Sequence, residues 1–495
     1  MTPRRRRGPN LNWQIIVPVI SGALLAVGLG LAACFLVAIA GDDGGALAFG
    51  GPAAGVLPLA ALGVASARRL RSMPLRARDG FFAVTMAWVA SAAVGALPFL
   101  LHGTFDAPAD AFFESMSGFT TTGATLLGAI EEQPDSVLLW RSLSQWLGGV
   151  GIVVLVVAIA PATGLASQRV FYAETSGVTA DRLTPRIADT AKIIWAVYLT
   201  MTALGFAAYW LAGMSPWEAI NHIFTTVATA GFSTRTASIG GFDSVAIELV
   251  AIVFMIAAGV NFAFYWRALR GDRLWPQAAE VRAYLLILAG ATAVVTLTLV
   301  LADGGPGFGE ALRGSAFTVA SIVSTTGYTT VDYDQWPEFA RLTLLALMFV
   351  GGCAGSTAGG MKVIRIMLLA KAAGQEIQRQ LQPKAVQVLR TRGRVFSEEV
   401  RRAVFAFFAL NFTVFAAGTL VMAAYGLDPL TAASSVIATL NVIGPGMGEV
   451  GAAENFTAVP EGGRWVLSAL MLIGRLEIFT VLVLFTPAFW RPNVA

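Results

Sequence analysis

Four stretches of this chain share a glycine at one position: Thr120-Thr121-Thr122-Gly123-Ala124-Thr125, Ala228-Thr229-Ala230-Gly231-Phe232-Ser233-Thr234, Ser324-Thr325-Thr326-Gly327-Tyr328-Thr329-Thr330 and Leu440-Asn441-Val442-Ile443-Gly444-Pro445-Gly446. They recur at intervals of about a hundred residues, the mark of an internal repeat. One such stretch alone reads equally well as a turn or a small-residue packing motif. Four in matching positions need another explanation. Glycine at the shared position admits backbone conformations closed to other residues, so carbonyl oxygens can turn to one side and replace the water shell of an ion. Threonine hydroxyls extend that oxygen ladder. The fourth stretch departs from this, since Val442 and Ile443 supply backbone oxygen only.

Each stretch closes a segment too short and polar to cross a membrane, yet apolar enough to enter one: Ala109 to Thr125, Pro216 to Thr234, Glu310 to Thr330 and Pro429 to Gly448. These read as re-entrant, each a short helix whose partially negative C-terminal end favours a cation. Around them lie apolar runs long enough to span roughly 30 Å of hydrocarbon. They fall near 13–40, 46–66, 81–101, 138–160, 190–212, 244–266, 283–302, 341–370, 403–424 and 464–489. The expected fold is an all-α polytopic membrane protein of about ten transmembrane helices, by the length criterion. Four pseudo-repeated helix–pore loop–helix units surround one central pore, preceded by two extra N-terminal helices. The expected divisions are 1–80 for the N-terminal hairpin and basic loop, pore units at 81–160, 190–268, 283–371 and 403–490, and a basic loop at 372–402.

Composition agrees with this class. Of 495 residues, 56% are hydrophobic and only 13% charged, and mean hydropathy is +0.69, far above that of a chain with a wetted surface. The net charge of +4 does not point to nucleic acid, because the cations sit between apolar spans. They comprise Arg4 to Arg7, then Arg68, Arg69, Arg71, Arg76 and Arg78, then Arg169, Arg182 and Arg186, then Arg267, Arg270, Arg273 and Arg282, and finally Lys371 through Arg402. The positive-inside rule makes these loops and both termini cytoplasmic. The intervening segments carry few cations, among them Arg235 and Arg313. Arg4 to Arg7 followed by an apolar run ending at Leu31-Ala32-Ala33-Cys34 imitates a lipoprotein signal, but apolarity continues to Ala40, which favours a first spanning helix. Two cysteines, Cys34 and Cys353, and two histidines, His102 and His222, supply neither a zinc cluster nor a disulfide framework. An intramembrane enzyme would need a nucleophile with a base or a metal cluster, so no enzymatic activity and no covalent cofactor are expected.

Three further features lie at membrane depth. The second span of the third unit is interrupted by Gly351-Gly352-Cys353-Ala354-Gly355-Ser356-Thr357-Ala358-Gly359-Gly360, irregular backbone tolerated there only beside protein or a water-filled cavity. The plainer alternative is a kink or tight packing through small residues. Arg475 falls mid-way along the last span, where a cation faces a cavity or a partner. It reads either as an electrostatic gate beneath the filter or as half of a structural ion pair with Glu477, Glu114 or Glu248. Glu114, Asn221 and His222 sit in re-entrant helices and are expected to brace the filters by hydrogen bonding. Lys362 and Arg365 read as snorkelling cations at the cytoplasmic boundary, or as a docking point for a regulator.

The chain resembles the Trk/Ktr/HKT superfamily of potassium transporters. The resemblance rests on Ser117-Gly118-Phe119-Thr120-Thr121-Thr122-Gly123-Ala124-Thr125, Gln145-Trp146-Leu147-Gly148-Gly149-Val150-Gly151, Gly355-Ser356-Thr357-Ala358-Gly359-Gly360-Met361-Lys362 and Gly474-Arg475-Leu476-Glu477, and covers residues 81 to 490. The two extra leading spans are similar to the Trk branch. The resemblance implies potassium uptake across the cytoplasmic (inner) membrane. It implies a potassium-binding filter at Thr121, Thr122, Gly123, Thr229, Ala230, Gly231, Thr325, Thr326, Gly327, Val442, Ile443 and Gly444. It also implies a gate formed by Gly351, Gly352, Gly355, Ser356, Thr357, Gly359, Gly360 and Arg475. In plant relatives a serine at the first filter glycine accompanies sodium selectivity, and Gly123 here favours potassium. A homodimer and a cytosolic, nucleotide-binding, TrkA-like regulatory subunit are further implications, nucleotide acting only through that partner. Two alternatives stand beside this reading: a secondary carrier of a small organic solute, since broken helices and repeats also occur in carriers, and a sodium-permeable transporter of the same fold.

Overall fold

The computed structural model describes residues 11–66, 77–159, 187–271, 275–382, 390–391 and 394–490. The basic residues Arg4 to Arg7, Arg68, Arg69, Arg71, Arg76, Arg169, Arg182, Arg186 and Arg273, expected in cytoplasmic loops, lie outside them.

Helices α1 (Trp13–Gly41) and α2 (Ala46–Ser66) form an N-terminal hairpin against α3 (Ala77–His102). Their turn is held by Asp43, whose carboxylate accepts from Gly45 N (3.0 Å) and from Ser136 N (3.0 Å) at the head of α5 (Asp135–Ile159). Trp140 of α5 is fully buried and donates to Gly95 O of α3 at 2.9 Å, which keys the first hairpin together. Four hairpins follow. Each has a long first helix, a short helix entering from the mouth side, a loop and a second helix. The first helices are α3, α6 (Ile187–Leu211), α10 (Trp275–Leu301) and α14 (Glu398–Ala424). The short helices are α4 (Pro108–Phe119), α7 (Pro216–Val227), α11 (Phe308–Val323) and α15 (Pro429–Leu440).

The short helices start where their sequences say they should. Proline occupies the first turn of α4, α7 and α15, where no amide hydrogen is needed. Ser215 and Glu218 form a reciprocal capping box on α7, and Asp428 caps α15 through Leu430 N (2.9 Å) and Thr431 N (3.2 Å).

Among the described residues, only one second helix, α5, is continuous. In the second hairpin α8 (Val245–Ala258) meets α9 (Phe262–Leu269) at a 91° bend, and in the fourth α16 (Glu461–Arg475) meets α17 (Phe479–Leu482) within a 111° bend. The spans read at 244–266 and 464–489 are thus each sharply bent at a break. Asn261 caps α9 through Ala263 N at 2.8 Å, which is why an apolar run stops and restarts there. In the third hairpin α12 (Glu338–Leu347) and α13 (Val363–Leu381) flank the glycine-rich loop. Among the described residues, six continuous helices and the two bent pairs are long and apolar enough to span. With α5 and the interrupted α12–α13 pair they account for the ten segments read from sequence. The basic segment after Lys371 begins as the end of α13 and contains a short antiparallel pair, β1 (Arg390–Thr391) and β2 (Arg394–Val395).

Polar ties cross every seam between hairpins on the mouth side. Thr236 N donates to Glu131 Oε1 (2.8 Å) between the first and second, and Arg313 pairs with Glu248 (3.4 Å) between the second and third. Tyr333 Oη donates to Gly446 O (2.8 Å) between the third and fourth, and Arg464 pairs with Asp110 between the fourth and first. Burial would raise the Glu131 carboxyl, but the hydrogen bonds from Thr236 outweigh it and hold the group below its ordinary range.

Candidate permeation site

The four short helices end alike. Thr121, Thr229, Thr325 and Val442 take positive φ of 57°, 52°, 57° and 59°, a region that β-branched residues rarely enter. In each case the next amide reaches back to the short helix: Thr122 N to Ser117 O (2.9 Å), Ala230 N to Thr225 O (2.9 Å), Thr326 N to Ser321 O (2.9 Å) and Ile443 N to Ala438 O (2.8 Å). This is a Schellman closure with threonine or valine where glycine is usual. Two residues on, Gly123, Gly231, Gly327 and Gly444 again take positive φ, at 83°, 81°, 79° and 117°. Alternating φ signs turn successive carbonyls to one side of the strand.

The glycines then close a circuit. A Cβ placed on Gly123 would lie 2.1 Å from Ala230 O, on Gly231 2.0 Å from Thr326 O, on Gly327 2.0 Å from Ile443 O, and on Gly444 3.0 Å from Thr122 O. Each hairpin's glycine therefore abuts the carbonyl before the next hairpin's glycine, around all four and back to the first. The last contact is about 1 Å longer than the others, and Gly444 also differs from them in φ. On the mouth side a cavity opens, lined among others by Gly123, Gly231, Gly327, Arg141 and Glu454.

The loops are braced from behind by residues of unequal kind. Glu114 Oε1 accepts from Thr125 Oγ1 (2.8 Å) and Arg141 Nε (2.9 Å), and its Oε2 accepts from Leu126 N (3.0 Å). Arg141 is buried, lies over the Phe232 ring at 4.2 Å, and donates to Ser233 O of the second loop at 3.0 Å. Nine residues before each ring glycine, Glu114 is matched by His222, not Asn221. His222 Nε2 meets Ser233 Oγ at 3.0 Å, and its Nδ1 meets Glu218 O at 2.8 Å. Asn221 donates to Trp217 O (2.8 Å) in its own helix. In the third loop Ser321 Oγ donates to Tyr328 O at 2.7 Å, and Tyr328 Oη reaches His222 O at 2.9 Å. Arg141, which the sequence reading did not single out, ties the first seam through Glu114 and Ser233 O.

Opposite the mouth, the 351–360 loop runs against the ends of the short helices. Thr357 Oγ1 donates to Val227 O (3.0 Å), Gly359 N donates to Thr325 Oγ1 (2.6 Å), and Gly359 leaves only 2.5 Å between a would-be Cβ and Asn441 O. Gly352 accepts from Val363 N (3.1 Å), and Gly355 O accepts from Phe262 N (3.1 Å) at the bend of the second hairpin. Gly351 N bonds Met361 O (2.9 Å), Ser356 Oγ bonds Cys353 O (2.6 Å), and Gly360 has φ of 65°. Glu280 of α10 accepts from Ala354 N (2.7 Å) and Ile364 N (3.3 Å), holding both shoulders of the loop.

Arg475 is buried at the end of α16, at the break that falls mid-way along the last span, where its sequence position places it. It donates to Thr357 O and Gly148 O, both at 3.0 Å, so it joins the loop to the first hairpin's second helix. The ion-pair partners considered for it are engaged elsewhere: Glu477 with Arg365 (2.6 Å), Glu114 with Arg141 (2.9 Å) and Glu248 with Arg313 (3.4 Å). Lys362 and Arg365 do not snorkel. Both are buried, Lys362 Nζ on Ala358 O and Arg365 on Glu477 and the Phe407 ring.

Four helix–loop–helix hairpins closed into one ring of backbone oxygens define an all-helical membrane protein of the pore-loop class. The TrkH family profile, described as cation transport protein, matches residues 54–491, and the Trk system potassium uptake protein TrkH of Vibrio parahaemolyticus is 43% identical over 423 residues, 84% of this chain and 87% of that one. The chain belongs to the TrkH family of cation transport proteins. The potassium uptake protein TrkI of Halomonas elongata is 36% identical over 482 residues, 97% of each chain. The crystal structure of the potassium transporter TrkH from Vibrio parahaemolyticus matches with a TM-score of 0.87 at 39% identity, over 97% of this chain and 100% of that one.

Proposed function

We propose that this chain takes up potassium across the cytoplasmic membrane through the ring of Thr121-Thr122-Gly123, Thr229-Ala230-Gly231, Thr325-Thr326-Gly327 and Val442-Ile443-Gly444. The observation that carries the reading is the glycine-on-carbonyl circuit, which gathers Thr122 O, Ala230 O, Thr326 O and Ile443 O around one axis. Uncharged oxygens at four sides replace the hydration of a monovalent cation, and four helix C-termini add partial negative charge. Potassium is the ion named for the relatives at 43% and 36% identity. The pore units occupy 81–160, 190–268, 283–371 and 403–490, with both termini cytoplasmic. The loop at 351–360 is the gate, and Arg475 latches it: a cation below the ring raises a barrier to another cation, and its two carbonyl contacts keep the loop across the path. A homodimer and a TrkA-like nucleotide-binding subunit docking on residues 372–402 complete the system in this reading.

Bilayer recording of the purified chain tests it. A reversal potential that follows the potassium gradient is expected. One that follows sodium equally, or uptake displaced by sugars or amino acids but not by potassium, refutes it.

A further inference from the structure

Gln145 is fully buried on α5 of the first hairpin, yet it bonds into the loop of the second. Its Nε2 donates to Ala230 O at 2.8 Å, and its Oε1 accepts from Phe232 N at 3.1 Å. These groups belong to the two peptide planes on either side of Gly231, so one side-chain amide fixes both. Ala230 O is also the oxygen against which Gly123 packs. Among the described residues no side chain donates to the equivalent Thr122 O, Thr326 O or Ile443 O. We propose that Gln145 is a specificity-determining positioning residue, which tunes one ring oxygen of four and so helps the ring prefer potassium to sodium. The inference rests on the filter reading above.

Two effects act in the same direction. A carbonyl oxygen has two lone pairs, and an amide donor on one leaves the other for an ion while drawing electron density away from it. A weaker oxygen field favours the larger, less strongly hydrated ion. Pinning adds to this: a ring that adjusts to sodium must move its oxygens inward, and a carbonyl tied at 2.8 Å to a packed helix does not follow. Gly231 itself supplies no resistance, because its positive φ carries no side-chain constraint. Gln145 adds a side-chain restraint at the Ala230 oxygen itself, beyond the backbone closure on Thr225 O and the ties at Ser233.

The test uses the full chain reconstituted in liposomes, with Gln145→Met, which keeps length and removes both bonds, and Gln145→Glu, which keeps the acceptor for Phe232 N. The readouts are the sodium-to-potassium permeability ratio and, independently, the ratio of potassium to sodium concentrations that equally protect the purified protein from thermal unfolding. In Gln145→Met the permeability ratio is expected to rise about two- to tenfold, the range set by one net hydrogen bond, with potassium flux retained. The protection ratio is expected to move toward unity. A role in folding alone would lower flux of both ions together and leave both ratios unchanged. Native ratios in the variants, or failure of both variants to fold, overturn the proposal. Loss of potassium preference in the unsubstituted chain would instead overturn the filter reading itself.

Discussion

Replacing Glu114 by glutamine isolates the brace between the first and second hairpins. The carboxylate is fully buried and receives three donors, two on Oε1 and one on Oε2. A glutamine has one acceptor oxygen, so its amide nitrogen must face either Leu126 N or the Thr125–Arg141 side, donor against donor. The substitution also leaves the Arg141 guanidinium, 1% exposed, without a counter-charge. Removing one partner of a buried pair costs roughly 3–5 kcal/mol. Retention of one acceptor and of the Arg141 bond to Ser233 O puts Glu114→Gln at the lower end of that range, about 3 kcal/mol. Arg141→Met removes the cation and fills much of its volume. In the double variant no charge is orphaned, so the two penalties are expected to fall short of adding by about 2 kcal/mol. Reversible unfolding in mixed micelles, titrated with dodecyl sulfate and followed by tryptophan fluorescence, measures all four proteins. Additive penalties, or a Glu114→Gln loss within about 0.5 kcal/mol of zero, would refute the assignment, since that is the scale of an ordinary surface change.

Gly231→Ala puts a Cβ 2.0 Å from Thr326 O at φ of 81°, and the conformational strain of about 1–2 kcal/mol adds to a backbone overlap. Potassium flux should fall at least about tenfold in liposomes while the protein stays folded; native flux would contradict the ring geometry. Arg475→Ala frees Thr357 O and Gly148 O, and raised potassium flux in the absence of any other protein is expected, with unchanged conductance in folded protein sinking the latch. Asp428→Ala should destabilise α15 by about 1 kcal/mol at neutral pH. Hydrogen bonds from Thr431 hold the Asp428 carboxyl below its ordinary range. The cap's contribution is thus full above the unfolded carboxyl's titration, near 3.9, and fades as pH falls through the lowered folded value. A stability difference that stays constant down to strongly acid pH would contradict the cap.

The four loops were legible because their spacing and their glycines repeat, and the chain's hydropathy left no room for a soluble fold. The bracing was less so. Asn221 stood out as a buried amide, but counting nine residues back from Gly231 reaches His222, the position that matches Glu114. Arg141 lies near the start of an apolar run and looked like an ordinary helix end, and only the fold reveals that this end is packed inside the ring of hairpins. The bend at 259–261 carried a usable signal, a glycine followed two residues later by a capping asparagine. The bend at 476–478 carried none. Glu477 and Ile478 take positive φ of 57° and 52° without glycine, held there by the Arg365 pair and by burial of Ile478 against Met361 and Phe407. Tertiary contacts override local preference at that point, and no pattern in the run predicts it.

Because the ring is closed within a single polypeptide, every position in it is written once in the gene. An assembly of identical subunits must take any substitution at all four corners together, so a change tolerable at one corner is tested only in quadruplicate. Here Val442 can stand where the others have threonine, and Gln145 can reach one corner and leave three untouched. Selection can therefore adjust ion preference in quarter steps, and mutational scans of this chain should find the four corners differing in tolerance.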